Sequence, residues 1–210
     1  MTNFNSIRKL FEITEDNGFS VEEMTTLLQH PNAIPKVLYD YYLQLGKIKS
    51  LNQTQDKLLE PNQLKYSKNK KFLIFYAENQ WACVWGIHKN DLNKANPLVF
   101  MSYDEKEWVV ENEKLSDFLN AMSNLQATFA LPYTAEEFLM INESEFESIK
   151  CSYKKRDFKF TRWIGIEFYG NNDNDVITVM KNENNYDLVY ASANEEQFEA
   201  MQDILNKLGN

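Results

Sequence analysis

The sequence predicts an α+β protein: a mostly antiparallel meander flanked by helices, followed by a second, strand-rich α+β extension. Three observations carry this. Phe72-Leu73-Ile74-Phe75-Tyr76-Ala77 is apolar throughout, and after Glu78-Asn79-Gln80 the run Trp81-Ala82-Cys83-Val84-Trp85-Gly86-Ile87 alternates, the pattern of a buried hairpin. Apolar residues at helical spacing precede and follow that hairpin, and the order of strands then helix recurs once more before the chain ends. No repeat exists at the level of residues. The predicted organisation is 1–132 as an α+β domain and 133–210 as an α+β extension, packed with it or alongside it.

The elements follow in order. Ile7, Leu10 and Phe11 predict a first helix. After Asn17-Gly18, the capping box Ser20-Val21-Glu22-Glu23 leads into a second, carrying Met24, Leu27 and Leu28. Pro31-Asn32-Ala33-Ile34-Pro35 opens a third, with Val37, Leu38, Tyr41, Tyr42 and Leu45 on one stripe and Gly46 as a left-handed stop. Leu51 to Leu59 reads as a short helix ended by Pro61. Beyond the hairpin, the turn-rich Asp91–Pro97 leads to strands at Leu98–Tyr103 and Trp108–Glu111, joined by Asp104-Glu105-Lys106-Glu107. Ser116 caps a helix with Phe118, Leu119, Met122 and Leu125 on its inner face.

In the extension, Thr134-Ala135-Glu136-Glu137 reads as a capping box opening a helix through Met140. Strands are predicted at Glu147–Tyr153, Thr161–Tyr169, Asp175–Lys181 and Tyr186–Ala191. A last helix presents Phe198, Met201, Ile204 and Leu208, and Glu195, Glu196 and Glu199 stand in its first turn, where the macrodipole favours them.

Composition narrows the function classes. With 210 residues, 43% of them hydrophobic, the chain can bury a full core. No signal peptide or membrane-length apolar run is present, so a cytoplasmic location is expected, without a membrane partner. Two dissimilar cysteines, Cys83 and Cys151, read as free thiols. The net charge of −9 argues against nucleic acid as a partner. It is unevenly placed: residues 1–132 hold 14 basic and 16 acidic side chains, residues 133–210 hold 8 and 15. A basic strip, Lys150, Lys154, Lys155, Arg156, Lys159 and Arg162, precedes the acidic end and reads as a lysine-guarded edge strand.

Few residues carry recognisable chemistry. His30 reads as a helix-end residue, and His88 lies on the opposite strand face from Cys83, which disfavours a Cys–His pair. Asn171-Asn172-Asp173-Asn174-Asp175 has the oxygen-rich alternation of a calcium loop, but Val176 stands where that loop turns on glycine, so a hairpin loop is the expected reading. Phosphate-binding glycine motifs are absent. Trp81, Trp85, Trp108 and Trp163 read as core. No catalytic residue, metal site or cofactor is predicted.

One resemblance adds to this. Ile34-Pro35-Lys36-Val37-Leu38-Tyr39-Asp40-Tyr41-Tyr42 with Leu45-Gly46, Glu78-Asn79-Gln80 with Trp85-Gly86-Ile87, Asp91-Leu92, Asn96-Pro97-Leu98-Val99-Phe100, Trp108 and Leu115-Ser116-Asp117-Phe118-Leu119 follow one another as in the SUKH superfamily. That superfamily includes fungal regulators of cell-wall synthesis and bacterial toxin-immunity proteins. The resemblance covers Ile34 to Met122 and implies an α+β fold without enzymatic activity. It also implies a protein partner, in bacterial members a cognate toxin, often a nuclease, which the immunity protein occludes.

An acidic inhibitor surface suits the basic cleft of such a toxin. The candidate contact residues are Glu78, Asp104, Glu105, Glu107, Asp173, Asp175, Glu195 and Glu196, on a monomer or weak dimer. An intracellular scaffold or regulator of envelope synthesis is the second class, and a small-molecule enzyme the third. The stretch beyond the Ser116 helix lies outside the resemblance.

Overall fold

A computed structural model describes residues 2–28 and 34–208. Seven α-helices and two antiparallel sheets are found among them, with the strand-rich part towards the carboxy terminus. His30 and the Pro31-Asn32-Ala33 opening of the third predicted helix lie outside the described residues.

The first sheet is built on its hairpin. Strand β1 (Lys57–Leu58) and strand β2 (Lys65–Tyr66) both pair with β3 (Phe72–Ala77), and β3 is followed by β4 (Val84–His88), β5 (Val99–Ser102) and β6 (Val109–Asn112). A bulge between Ile74 and Tyr76 turns both Phe75 and Tyr76 to the same side. That side is the main core, where Trp85, Ile87 and Met101 meet four helices: α1 (Asn5–Leu10), α2 (Val21–Leu27), α3 (Lys36–Leu45) and α4 (Lys49–Asn52). The capping box at Ser20 and Glu23 forms as expected, with Lys47 bound to the Glu23 carboxylate at 2.7 Å. The opposite side buries Leu59, Ile74, Ala77 and Val84 against Leu64 and Trp108. Trp108 lies flat on Phe72, with centroids 4.3 Å apart, and its ring fills the space above Gly86 where a Cβ would sit 3.0 Å away.

Helix α5 (Leu115–Ala130) is covered nearly all round because it runs between the two sheets. Phe118 packs on Phe75, Tyr76 and Trp85 of the first sheet and on Phe160, while Thr128 Oγ1 meets Thr178 Oγ1 of the second sheet at 2.5 Å. Gln126 fixes the segment before β1: its Nε2 donates to Asp56 O at 2.6 Å and Tyr76 Oη at 2.9 Å, and its Oε1 accepts from Gln55 N.

In the second sheet, β11 (Asn185–Ser192) pairs with β10 (Asp175–Asn182), which pairs with β9 (Ile166–Tyr169). The other side of β11 takes two short strands, β7 (Tyr133–Thr134) and β8 (Leu139–Ile141). Alternation divides this sheet cleanly. Ile166, Phe168, Val176 and Ala191 join the main core beside α5, so that core contains residues from both 1–132 and 133–210. Ile177, Val179, Leu188 and Tyr190 face outward into a second core under α6 (Glu143–Ser152) and α7 (Glu195–Leu205).

Several local expectations are corrected. Gly46 has φ −62°, so it is no left-handed stop; it is small because the Phe19 ring and Tyr42 backbone approach within 3 Å of where a Cβ would be. Leu51–Leu59 divides into the end of α4 and strand β1, and Pro61 opens a 3-10 turn. Helix α5 begins at Leu115 with no side-chain cap, and Ser116 instead exchanges hydrogen bonds with Asn96.

In place of the helix expected from Thr134 through Met140, the chain forms β7, an irregular turn and β8, because β11 offers an open edge and Ile141 a place in the second core. The expected strand at 147–153 is α6, capped by an Asn142–Glu145 box. Its Phe146, Ile149 and Tyr153 fall on one helical face. Of 161–169 only Ile166–Tyr169 is strand. Residues 153–165 are otherwise a strap, touching the sheet through a Lys155–Tyr169 bridge and pinned to β6: Glu111 Oε1 accepts from Thr161 N and Arg162 N, and Asn112 donates to Lys159 O.

Candidate partner-binding surface

The β3–β4 connection is longer than three residues. Strand β4 starts at Val84, so Glu78–Cys83 form a loop closed by Glu78 N donating to Cys83 O and Trp81 N donating to Glu78 O. The Glu78 carboxylate caps this loop from inside, accepting from Gln80 N at 2.8 Å and Ala82 N at 3.1 Å. Trp81 is held at φ 62°, a left-handed conformation that costs a non-glycine residue about 1 kcal/mol, and it is 47% exposed. The reading of Trp81 as core is therefore corrected. Cys83, Trp85 and Ile87 are core.

Register brings a second turn to the same sheet end. Val84 pairs with Ser102, so the residues after Ser102 run beside those before Val84. Asp104 Oδ1 accepts from Lys106 N at 2.8 Å and Glu107 N at 2.9 Å, and Ser102 Oγ accepts from Glu105 N. These amides hold the Asp104 carboxyl below its usual range, those of Glu107 and Lys106 contributing most. Glu105 also adopts a left-handed φ of 62°. Lys65 ties the two turns: its Nζ lies 4.5 Å over the Trp81 ring and 3.9 Å from Glu105 Oε1. Tyr103, 63% exposed, starts the second turn.

Beneath this end sits a buried carboxyl. Asp56 is 1% exposed; its Oδ1 accepts from Asn79 N at 3.2 Å, and its Oδ2 has no donor among the described residues. Burial, reinforced by the charge of Glu78 and opposed by the Asn79 amide, pushes it up to about 7. Burial also raises the Cys83 thiol to about 12, helped by Asp56, Glu78 and Glu111. A thiol so placed is inert as a nucleophile.

Four of the eight candidate contact residues, Glu78, Asp104, Glu105 and Glu107, thus share one end of the first sheet. The fold uses Glu78 and Asp104 as loop caps, pairs Glu105 with Lys65, and leaves Glu107 exposed. The remaining four lie on the β9–β10 connection, at the start of β10 and at the start of α7. Asp173 pairs with Lys9 at 2.8 Å. Glu195 and Glu196 are exposed in the first turn of α7, close to the Asp173 loop, since Ala193 N donates to Asn174 O.

Asp175 is corrected as a contact residue. It is 1% exposed, accepts from Asn172 and lies 3.6 Å from Arg156, so it supports the 171–175 hairpin loop from within. Trp81, Tyr103, Lys65 and Asp56 were missed as site residues. Alternation puts Trp81 on the same face as Cys83 and Trp85, so nothing local shows that it leaves the strand, and nothing local to Asp56 shows that it is buried.

Searches against family models, curated proteins and solved structures return no match for this chain.

Proposed function

We propose that this protein is a non-enzymatic protein-binding module whose contact surface is the end of the first sheet around Trp81 and Tyr103, and that its partner is a toxin domain it occludes. The observation that carries this reading is a pair of exposed aromatic side chains on turns fixed by internal caps, one held at a left-handed φ, beside Glu105 and Glu107. Exposed Trp and Tyr on a rigid frame lose little entropy on binding and are the commonest energetic anchors of protein interfaces. The surrounding carboxylates suit a partner with a basic cleft, as a nuclease has, by speeding encounter and fixing register. The resemblance to the SUKH superfamily supplies the toxin-immunity reading. A role in organising envelope synthesis follows from the same resemblance.

The test is co-purification with the product of the adjacent reading frame, followed by affinity measurement on Trp81→Gly and Tyr103→Ala. A tight one-to-one complex is expected, weakened by about 30-fold or more for each variant, since anchor residues contribute about 2 kcal/mol or more. Glycine relieves the left-handed φ, so Trp81→Gly keeps its stability within about 1 kcal/mol while losing affinity. Wild-type affinity in both variants overturns the proposed surface. Weak association with several host proteins and no one-to-one complex overturns the immunity role and favours the scaffold.

A further inference from the structure

The basic strip is the part of the chain that the partner-binding reading leaves unused, and the fold makes it one side of a cleft. A hollow of about 630 Å³ opens on the outer face of the second sheet, between α6, the 153–165 strap and the ends of β9, β10 and β11. Its apolar lining is presented by the half-buried rings of Phe158 and Tyr186, the latter 4.3 Å from the buried Phe146 ring, with Val179 beneath. Five cationic side chains line it, Lys150, Lys155, Arg156, Lys159 and Lys181, with Asp157 and Glu167 the only carboxylates. Those five are most of the eight basic residues in 133–210, gathered in one place on a chain of net charge −9.

The partners of these cations divide them. Arg156 turns away, donating through Nη2 to Asn172 O and Asp175 O beside the buried Asp175 carboxylate. Lys155 pairs with Glu167 at 2.7 Å, and Lys150 pairs with Glu147 at 2.6 Å while lying 4.1 Å over the Phe146 ring. Lys159 and Lys181 are exposed and have no carboxylate within ion-pair distance among the described residues. Two unneutralised lysines therefore line a cleft that also presents Phe158 and Tyr186.

We infer that this cleft binds a small organic anion: a phosphate or carboxylate group held by Lys159 and Lys181, joined to a flat apolar body that lies against Phe158 and Tyr186. The volume falls within the range of small-molecule sites, and the combination of apolar walls with a few charged groups is the usual make-up of such sites. A polymer fits it less well. A nucleic-acid strand needs a row of free cations along its backbone, and here three of the five are engaged by carboxylates. The site is separate from the Trp81 surface, so the two proposals stand or fall independently.

Titration calorimetry of the full chain at low salt tests it, with phenyl phosphate, adenosine monophosphate and inorganic phosphate as probes. One-to-one binding is expected for the two aromatic phosphates, at least about tenfold tighter than for inorganic phosphate, because only they use the apolar lining. Lys159→Ala with Lys181→Ala lowers affinity by about tenfold or more and flattens its salt dependence.

Gly165→Leu provides the second variant. A Cβ at Gly165 meets only the Lys181 side chain at 3.9 Å, so the backbone accepts a side chain there, and the leucine is expected to block the aromatic probes while the melting temperature holds. The inference is overturned if neither aromatic phosphate saturates up to about 10 mM. It is equally overturned if inorganic phosphate binds as well as they do, if both variants bind as wild type does, or if a single-stranded oligonucleotide binds far more tightly than the mononucleotide.

Discussion

Replacing Asp56 by Asn probes the most unusual group beneath the proposed surface. Asp56 carries a carboxyl raised from 3.8 to about 7, so between those values the folded state holds a proton that the unfolded chain has released. For an acid raised in this way, the contribution to stability is complete below the unfolded pKa and is lost as pH climbs through the folded one. The gap corresponds to at most roughly 4 kcal/mol, at 1.36 kcal/mol per unit. Asparagine keeps the oxygen that accepts from Asn79 N but places an amide group where Oδ2 has no donor, and an unmatched buried N–H costs about 1–2 kcal/mol.

The variant should therefore exceed wild type by about 1–3 kcal/mol at pH 8 and match or fall below it at pH 4. Urea unfolding of both proteins from pH 4 to 8.5 gives the difference curve, in which titrations common to the two cancel. A difference that stays flat across this range would show that Asp56 ionises at an ordinary pKa and that water reaches it, and would refute the reasoning.

Two further perturbations test how the second sheet is held. Arg156→Ala leaves the buried Asp175 carboxylate without its cation and should cost about 3–5 kcal/mol in urea unfolding, partly recovered by adding Asp175→Asn; a loss below about 1 kcal/mol would mean that the pair is solvated. Thr128→Val strands the Thr178 hydroxyl between α5 and β10 at a cost of about 1–3 kcal/mol, whereas Thr128→Val with Thr178→Val should recover most of it; additive losses would show that the two hydroxyls do not depend on each other.

Much of the first sheet was legible in the chain because its signals are local. The all-apolar β3, the alternation at Cys83, Trp85 and Ile87, the Ser20–Glu23 box and the stripe of α3 each state their structure within one or two turns or strand repeats. The extension was harder to read for a physical reason. Residues 147–153 and 134–141 carry patterns that suit either helix or strand, and long-range partners decided: α6 needed Phe146, Ile149 and Tyr153 on one face, and the open edge of β11 drew Tyr133–Thr134 and Leu139–Ile141 into strands.

The candidate surface shows the same division. Its carboxylates were visible as turn residues, but an acidic turn reads alike whether its oxygens cap their own backbone, as at Glu78 and Asp104, or face solvent, as at Glu107.

What the sequence determined by itself was the fold class, the central hairpin, the apolar faces that pack on it and the separation of a basic strip from an acidic end, since all of these follow from composition and short-range periodicity. Only the tertiary structure decided that α5 runs between two sheets, that Trp81 leaves the strand and meets the 103–107 turn through Lys65, that Asp56 and Asp175 are buried, and that the basic strip borders a cleft. Those outcomes depend on register and on contacts across tens of residues, where burial and charge are set by neighbours that no local pattern names.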